Sequence, residues 1–287
     1  MPLKPDQPLE IWIAQKFAED QPVNVIRAGE LPSASDLEKA VYTSIRTYFR
    51  DSGNPGYLQL DLHLRRLHES LDIEQGDFQF EDSSLRQAIS QVVARSEIQG
   101  DLKIKVIIAP KRQNPTLFTV EALTTPSRTD YEKGVAIYTT TYIRKDPRAK
   151  VFEFVETQDQ IRGQFGQKVE EIIMLDSRGG LLEGLSSNFF VIMGGAIYTA
   201  GRGILNGITR QIVLDIVKEQ GLPLFFRKPA IRQIEKFDEC FITSTSRGIL
   251  PVISIDHKQI GPGKPGPMTQ KLRDCFEARI PGLVKPI

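Results

Sequence analysis

One uncharged run constrains this chain more than any other stretch. Between Gly184 and Gly201, 18 residues pass without a charge. That length invites reading as a membrane helix, but the contents argue against it. Ser186, Ser187 and Asn188 stand near its start, and Gly194-Gly195 divides its apolar part into pieces too short to span. Two strands joined by a Gly-Gly turn fit better. Leu181 to Ile192 reads as one continuous strand. Gly207 to Gln220 then reads as an amphipathic helix, with Ile208, Ile212, Val213, Ile216 and Val217 on one side. This part of the chain therefore folds as sheet backed by helix.

The same alternation runs through the rest of the sequence. A strand near Leu9–Ile13 precedes a capped turn or loop over Ser33–Lys39. Ala40–Tyr48 is rich in β-branched and aromatic residues and reads as a strand, and DSGNPG (51–56) as a turn. Leu64, Leu67 and Leu71 take helical spacing, as do Leu85, Ile89, Val92 and Val93. Asp101–Pro110 and Thr116–Leu123 form a strand pair around KRQNP. The segment TTPSRTD, 124–130, has the composition of a linker. Beyond it come strands at Gly134–Tyr142, Val169–Leu175 and Cys240–Ser244, and helices at Val151–Phe165 and Met268–Ile280. The expectation is an α+β protein with a smaller N-terminal domain (1–123), a linker (124–130) and a larger C-terminal domain (131–287).

Composition excludes several roles. The net charge of +1 and the scattered basic residues give no field for nucleic acid or an acidic membrane. The start, MPLKPDQPLEIWIAQKF, lacks the pattern of a secretory signal. Cys240 and Cys275 have no framework spacing, so a reducing cytoplasm is expected. With His63, His68 and His257 they form no local zinc-like cluster, and no metal is expected. Gly261, Gly263 and Gly266 spell a dinucleotide motif, but prolines interrupt it and no strand–turn–helix unit surrounds it.

Chemistry concentrates between Glu183 and Arg210. A lone strand-end glutamate is usually solvated. Glu183 is followed by Asn188 and by Gly207-Ile208-Thr209-Arg210 at a helix start. A carboxylate suits a protonated pyridine nitrogen, and helix-start amides with a threonine hydroxyl suit a phosphate. Together they point to pyridoxal 5′-phosphate.

Glu183, Asn188-Phe189-Phe190, Thr199 and Gly207–Arg210 match, in order, the signature of the class IV aminotransferases. The chain resembles that family of fold-type IV pyridoxal-phosphate enzymes over about Ala40–Ile280. The family includes branched-chain and D-amino-acid aminotransferases and aminodeoxychorismate lyase. The resemblance implies two domains with the cofactor between them, a homodimer, and amino acid and keto acid as substrates. It makes Lys150, 33 residues before Glu183, the lysine that carries the cofactor, ahead of Lys145 and Lys168. His63-Leu-Arg-Arg-Leu67 matches the family's His-x-x-Arg-Leu and makes Arg66 a phosphate ligand, with Arg65 left as an exposed helix arginine. Asn188, Gly207, Ile208, Thr209 and Thr245 join it in cofactor binding. Tyr42, Arg46, Ser246 and Arg247 are placed on the substrate side. The Asn-Tyr pair that often follows the lysine is absent, its places falling near Phe154 and Val155. The expected activity is amino transfer between an amino acid and a 2-keto acid. The alternatives are a lyase that releases pyruvate and a non-catalytic protein on the same fold.

Overall fold

The computed structural model describes residues 9–15, 23–53, 55–74, 78–113, 115–166 and 169–287. Its contacts divide the chain into two compact units. The first contains Met1–Thr124, Ala149–Asp159 and Gly282–Ile287, and the second contains Thr125–Arg148 and Gln160–Pro281. The sequence reading placed a single division at 124–130, whereas two later segments pack with the first unit. The proposed linker is also partly helical. Ser127 and Asp130 form a capping box that starts a helix at Arg128.

The first unit is an antiparallel sheet backed by helices. Its strands are β1 (Leu9–Gln15), β2 (Asn24–Ala28), β3 (Val41–Tyr48), β4 (Gly56–Leu58), β5 (Leu102–Ile108) and β6 (Thr116–Ala122). The sheet order is Val284–Lys285, β4, β3, β5, β6, β1, β2. Helices α1 (Leu60–Glu74) and α2 (Asp82–Arg95) put Leu64, Leu67, Leu71, Ile89 and Val92 into one core with Ile45, Ile104, Val106 and Phe118 of the sheet. The period-2 alternation of β5 explains its other face, where Ile107 joins Ala40, Tyr42 and Leu117. Phe152 and Val155 pack against this second cluster.

Residues 149–159 are clipped to the edge of β3. The amide of Tyr42 donates to the Lys150 carbonyl (2.8 Å), and the Phe152 amide donates to the Ala40 carbonyl (2.7 Å). Val41 and Val151 bridge between these bonds. The backbone of Lys150 is thus fixed by sheet-type pairing although its segment is a loop.

The second unit holds α3 (Arg128–Lys133), β7 (Val135–Thr140), β8 (Ile172–Leu175), β9 (Leu181–Gly184), β10 (Asn188–Met193) and β11 (Ala196–Thr199). It continues with α5 (Ile208–Glu219), β12 (Leu224–Phe225), β13 (Glu239–Ser244), β14 (Gly248–Ile255), β15 (Lys258–Gln259) and α6 (Pro267–Leu283), while α4 is Glu153–Gly163. The strands run in the order β12, β11, β10, β13, β14, β7, β8, β9, and β9 returns to pair with β10. The sheet therefore closes on itself. Phe189, Val191, Ile242, Leu250, Val252 and Ile137 share one core. At the start of α6 the Glu239 carboxylate accepts the amides of Met268 (3.0 Å) and Thr269 (2.7 Å). That supplies the acceptors a helix start lacks.

Closure corrects one expectation. Leu181–Ile192 is not one strand but two, broken at Leu185-Ser186-Ser187. The Gly184 amide donates to the Ser187 carbonyl (2.8 Å), and the chain turns back antiparallel. Only glycine fits there, because a Cβ on Gly184 would lie 2.4 Å from Ser187 Oγ and 2.7 Å from Glu171 Cγ.

Candidate active site

The pair that closes the sheet is Glu183 and Asn188, directly opposite each other on β9 and β10. Both are buried, at 3% and 4% exposure. Glu183 Oε2 accepts from Asn188 Nδ2 (3.1 Å) and from the Leu205 amide (2.9 Å). The Arg144 guanidinium stands 3.4 Å from Oε1. Two hydrogen-bond donors and a guanidinium thus surround a buried carboxylate. Asn188 Nδ2 also donates to the Leu205 carbonyl (2.8 Å), so one amide ties the carboxylate to the approach of α5.

Helix α5 begins at Ile208 with Gly207 as its N-cap, and no side chain caps it. The first backbone bond of the helix is Gln211 to Gly207, 3.0 Å. By helix geometry the amides of Ile208, Thr209 and Arg210 have no intrahelical acceptor. A Cβ on Gly207 would lie 2.2 Å from Asn188 Oδ1, which is why glycine occupies the cap. Thr209 is buried at 4% exposure. Burial pushes the Arg210 guanidinium below its ordinary value, and the charge of Glu183 opposes that.

Thr245, Ser246 and Arg247 form the turn between β13 and β14. Thr243, just before it, pairs across the sheet with Asn188 and so shares its face. Among the described residues, the buried hydroxyls of Thr243 and Ser244 have no hydrogen-bond partner. Such groups at the end of β13 fit a polar ligand. The Glu183 carboxylate is the acceptor a protonated pyridine nitrogen requires, and the uncapped α5 start and these hydroxyls are donors that suit a phosphate.

Arg247 is tied to two carboxylates. Its Nε donates to Glu170 (2.8 Å), and its Nη1 donates to Glu171 (3.1 Å) and Ser186 (3.2 Å). Arg162 Nη2 reaches the other oxygen of Glu171 (3.1 Å). Glu171 is fully buried and also accepts from the Ser186 hydroxyl (2.7 Å) and the Ile172 amide (3.0 Å). Burial pushes the Glu171 carboxyl up, but Arg247, Arg162, Ser186 and Ile172 outweigh it, so its net shift is downward. Arg247 thus braces the 245–247 turn against the 185–187 turn.

In the first unit, Arg66 is buried at 8% exposure on α1, while Arg65 is exposed. Arg66 Nη2 donates to Thr43 Oγ1 (2.6 Å) and lies 3.4 Å from His63 Nδ1. Ser70 Oγ donates to the Arg66 carbonyl (2.8 Å) and accepts from the Lys150 amide (3.1 Å). Lys150 Nζ stands over the Tyr42 ring, 4.4 Å from its centroid. Tyr42 also meets Phe152 edge-on at 5.8 Å. Arg46, on the same face of β3 as Tyr42, lies 4.2 Å from the Tyr48 ring centroid. The structure thus groups Lys150, Tyr42, Ser70 and Arg66. Lys168 lies outside the described residues.

Sequence reasoning missed Arg144, Glu171, Thr43, His63 and Ser70. Arg144 and Glu171 had no local signal, since their partners are distant in the chain. His63 and Ser70 had one: at three before and four after Arg66, they lie on its side of a helix.

The closed sheet with a buried carboxylate at its closing pair, followed by an uncapped helix start, is the architecture of the fold-type IV enzymes. The structure superposes on the holo-form branched-chain aminotransferase of Thermobaculum terrenum with TM-score 0.77 and 22% identity, over 98% of each chain. The sequence model of the amino-transferase class IV family matches residues 40–255, and the chain belongs to that family. It is similar to a D-alanine aminotransferase of Bacillus licheniformis, 30% identical over 84% of this chain and 87% of that one. It is also similar to a branched-chain aminotransferase of Pseudomonas aeruginosa, 25% identical over 84% of each. The protein is an aminotransferase.

Proposed function

We propose that the protein binds pyridoxal 5′-phosphate through Lys150 and moves an amino group between an amino acid and a 2-keto acid. The observation that carries this reading is the Glu183–Asn188 pair, which presents a buried, multiply hydrogen-bonded carboxylate. When bound, the cofactor supplies an electron sink for a carbanion at the substrate α-carbon. Glu183 holds the ring nitrogen in its protonated form. Asn188 and the Leu205 amide keep the carboxylate oriented. The phosphate is bound by Arg66, by Thr245, and by the amides of Ile208 and Thr209 with the Thr209 hydroxyl, Gly207 providing the uncapped start. Lys150 is the base that moves a proton at the α-carbon, and its placement over the Tyr42 ring sets where its amine can reach.

Tyr42, Arg46, Ser246 and Arg247 are the substrate-side residues of this proposal. It extends to a homodimer, as the family resemblance implies, and to the reducing cytoplasm that the cysteine usage suggests. Among the described residues, no cluster of acids, histidines and cysteines could hold a metal, and no helix is long and apolar enough to cross a membrane.

The test is a visible spectrum of the purified protein before and after borohydride, then peptide mapping. A yellow protein whose reduced adduct maps to Lys150 is expected. A label on Lys145 or Lys168 would overturn the lysine assignment. Turnover of an amino donor with no keto acid present would favour the lyase instead.

A further inference from the structure

Arg66 ends a hydrogen-bond chain whose direction is fixed by chemistry. Its guanidinium can only donate. Its Nη2 donates to Thr43 Oγ1 at 2.6 Å, so that oxygen is an acceptor there. The single hydroxyl proton of Thr43 then points to its other close partner, His63 Nδ1, at 2.8 Å. Nδ1 also faces Arg66 Nη2 at 3.4 Å. A proton on Nδ1 would face the Arg66 donor, whereas a bare Nδ1 can accept from both Arg66 and Thr43. The contacts thus favour a neutral His63 with its proton on Nε2. All three side chains are buried. Burial, and after it the charges of Arg66 and Lys150, hold the imidazole well below its ordinary value, in agreement with the geometry.

We propose that Thr43 and His63 are positioning residues for Arg66: the Thr43 hydroxyl relays from the guanidinium to a neutral His63, and this fixes the fork that binds the cofactor phosphate. The inference rests on the reading of Arg66 as a phosphate ligand. An arginine on a long side chain has many rotamers, and planar, two-pronged recognition of phosphate works in few of them. Strand β3 and helix α1 supply the two acceptors from different elements, so the guanidinium is held from both sides of its packing seam. Ser70 holds the backbone of the same arginine and the amide of Lys150. One cluster thereby ties the phosphate-binding group to the lysine's segment.

The experiment titrates the apoprotein with pyridoxal 5′-phosphate and, separately, with pyridoxal, which lacks the phosphate. Thr43→Val keeps the shape and removes the relay. It should weaken pyridoxal phosphate about 10-fold, the cost of a hydrogen bond to a charged group. Pyridoxal affinity should stay within about 2-fold. Thr43→Ser should restore both values. His63→Asn, whose amide oxygen can replace Nδ1 as acceptor, should bind pyridoxal phosphate better than His63→Leu. Equal weakening of both ligands in Thr43→Val would mean general packing and overturn the proposal. So would an unchanged affinity for the phosphate form. If Thr43→Val does not fold, the His63→Asn and His63→Leu pair decides by the same two titrations. Arg66→Gln separates the two layers. If it leaves discrimination between the ligands intact, the phosphate reading of Arg66 fails. If it abolishes discrimination while Thr43→Val does not, only the positioning role fails.

Discussion

Two arginines in this protein, Arg66 buried and Arg247 half-buried, are held in opposite ways. In the first unit, Thr43 and His63 accept from Arg66, and neither carries a negative charge. In the second, Arg247 donates to Glu170 and Glu171, and Arg162 reaches Glu171 from the other side. Neutral acceptors orient a guanidinium without cancelling its charge. Carboxylates orient it and neutralise it, which suits a brace and not an anion site. If Arg66 binds the phosphate as proposed, its neutral acceptors Thr43 and His63 set it apart from the carboxylate-held Arg247.

The sharpest way to break that contrast is Glu171→Gln. It leaves two arginines facing an uncharged partner in a buried site, which costs roughly 3 kcal/mol, the low end for a broken buried pair because both arginines keep some exposure. Urea unfolding should show a lower midpoint with an unchanged slope. A loss below about 0.5 kcal/mol would make the triad a surface-like pair.

Acid titration compares the clusters directly. His63 stays neutral in the folded chain while the unfolded chain takes up a proton below about 6.5. Its contribution is complete above that pH and falls by about 1.4 kcal/mol per unit below it. Arg66 and Lys150 are the charged groups that face it. Glu171 has a lowered folded value, so its contribution stands above about 4.5 and is lost as pH falls further. His63→Asn should remove the higher window alone, and Glu171→Gln the lower alone. Equilibrium unfolding from pH 7 to 3.5 checks both.

The smallest effects should come from single caps and ties. Glu239→Ala removes both acceptors at the start of α6 and should cost about 1 kcal/mol. Ser70→Ala loses a hydroxyl that serves Arg66 and Lys150 and should cost about 1 kcal/mol. Thermal melts resolve each. A Ser70→Ala variant as stable as wild type would show that the sheet-type pairing of 149–159 suffices to hold Lys150.

What the sequence revealed follows the range of the interactions. Helical spacing exposed α1, α2 and α5 because each buries a stripe within its own length. Glu183 and the α5 start were readable because their chemistry sits within a short stretch. The break at Leu185–Ser187 was hidden, since Gly184 needs its freedom against Ser187 and Glu171, which folding brings against it. The return of 149–159 to the first unit was hidden too, because it depends on Tyr42 and Ala40 pairing with Lys150 and Phe152 across more than a hundred residues. The partners of Arg247 were hidden for the same reason: a loop arginine has no local mark of Glu170 and Glu171.

The short strand Val284–Lys285, paired with β4, bears on how the chain is made. It lies at the edge of the first unit's sheet, yet it leaves the ribosome after every residue of the second unit. Residues 149–159 are also late additions to that sheet's edge. During synthesis the first unit would wait with β4 unpaired on one side and with no lysine beside Tyr42, while most of the second unit is still being translated. The order of completion is thus reversed relative to the order of synthesis. Released chains truncated after Pro281 should leave β4 open to exchange, whereas the closed sheet of the second unit should already be protected.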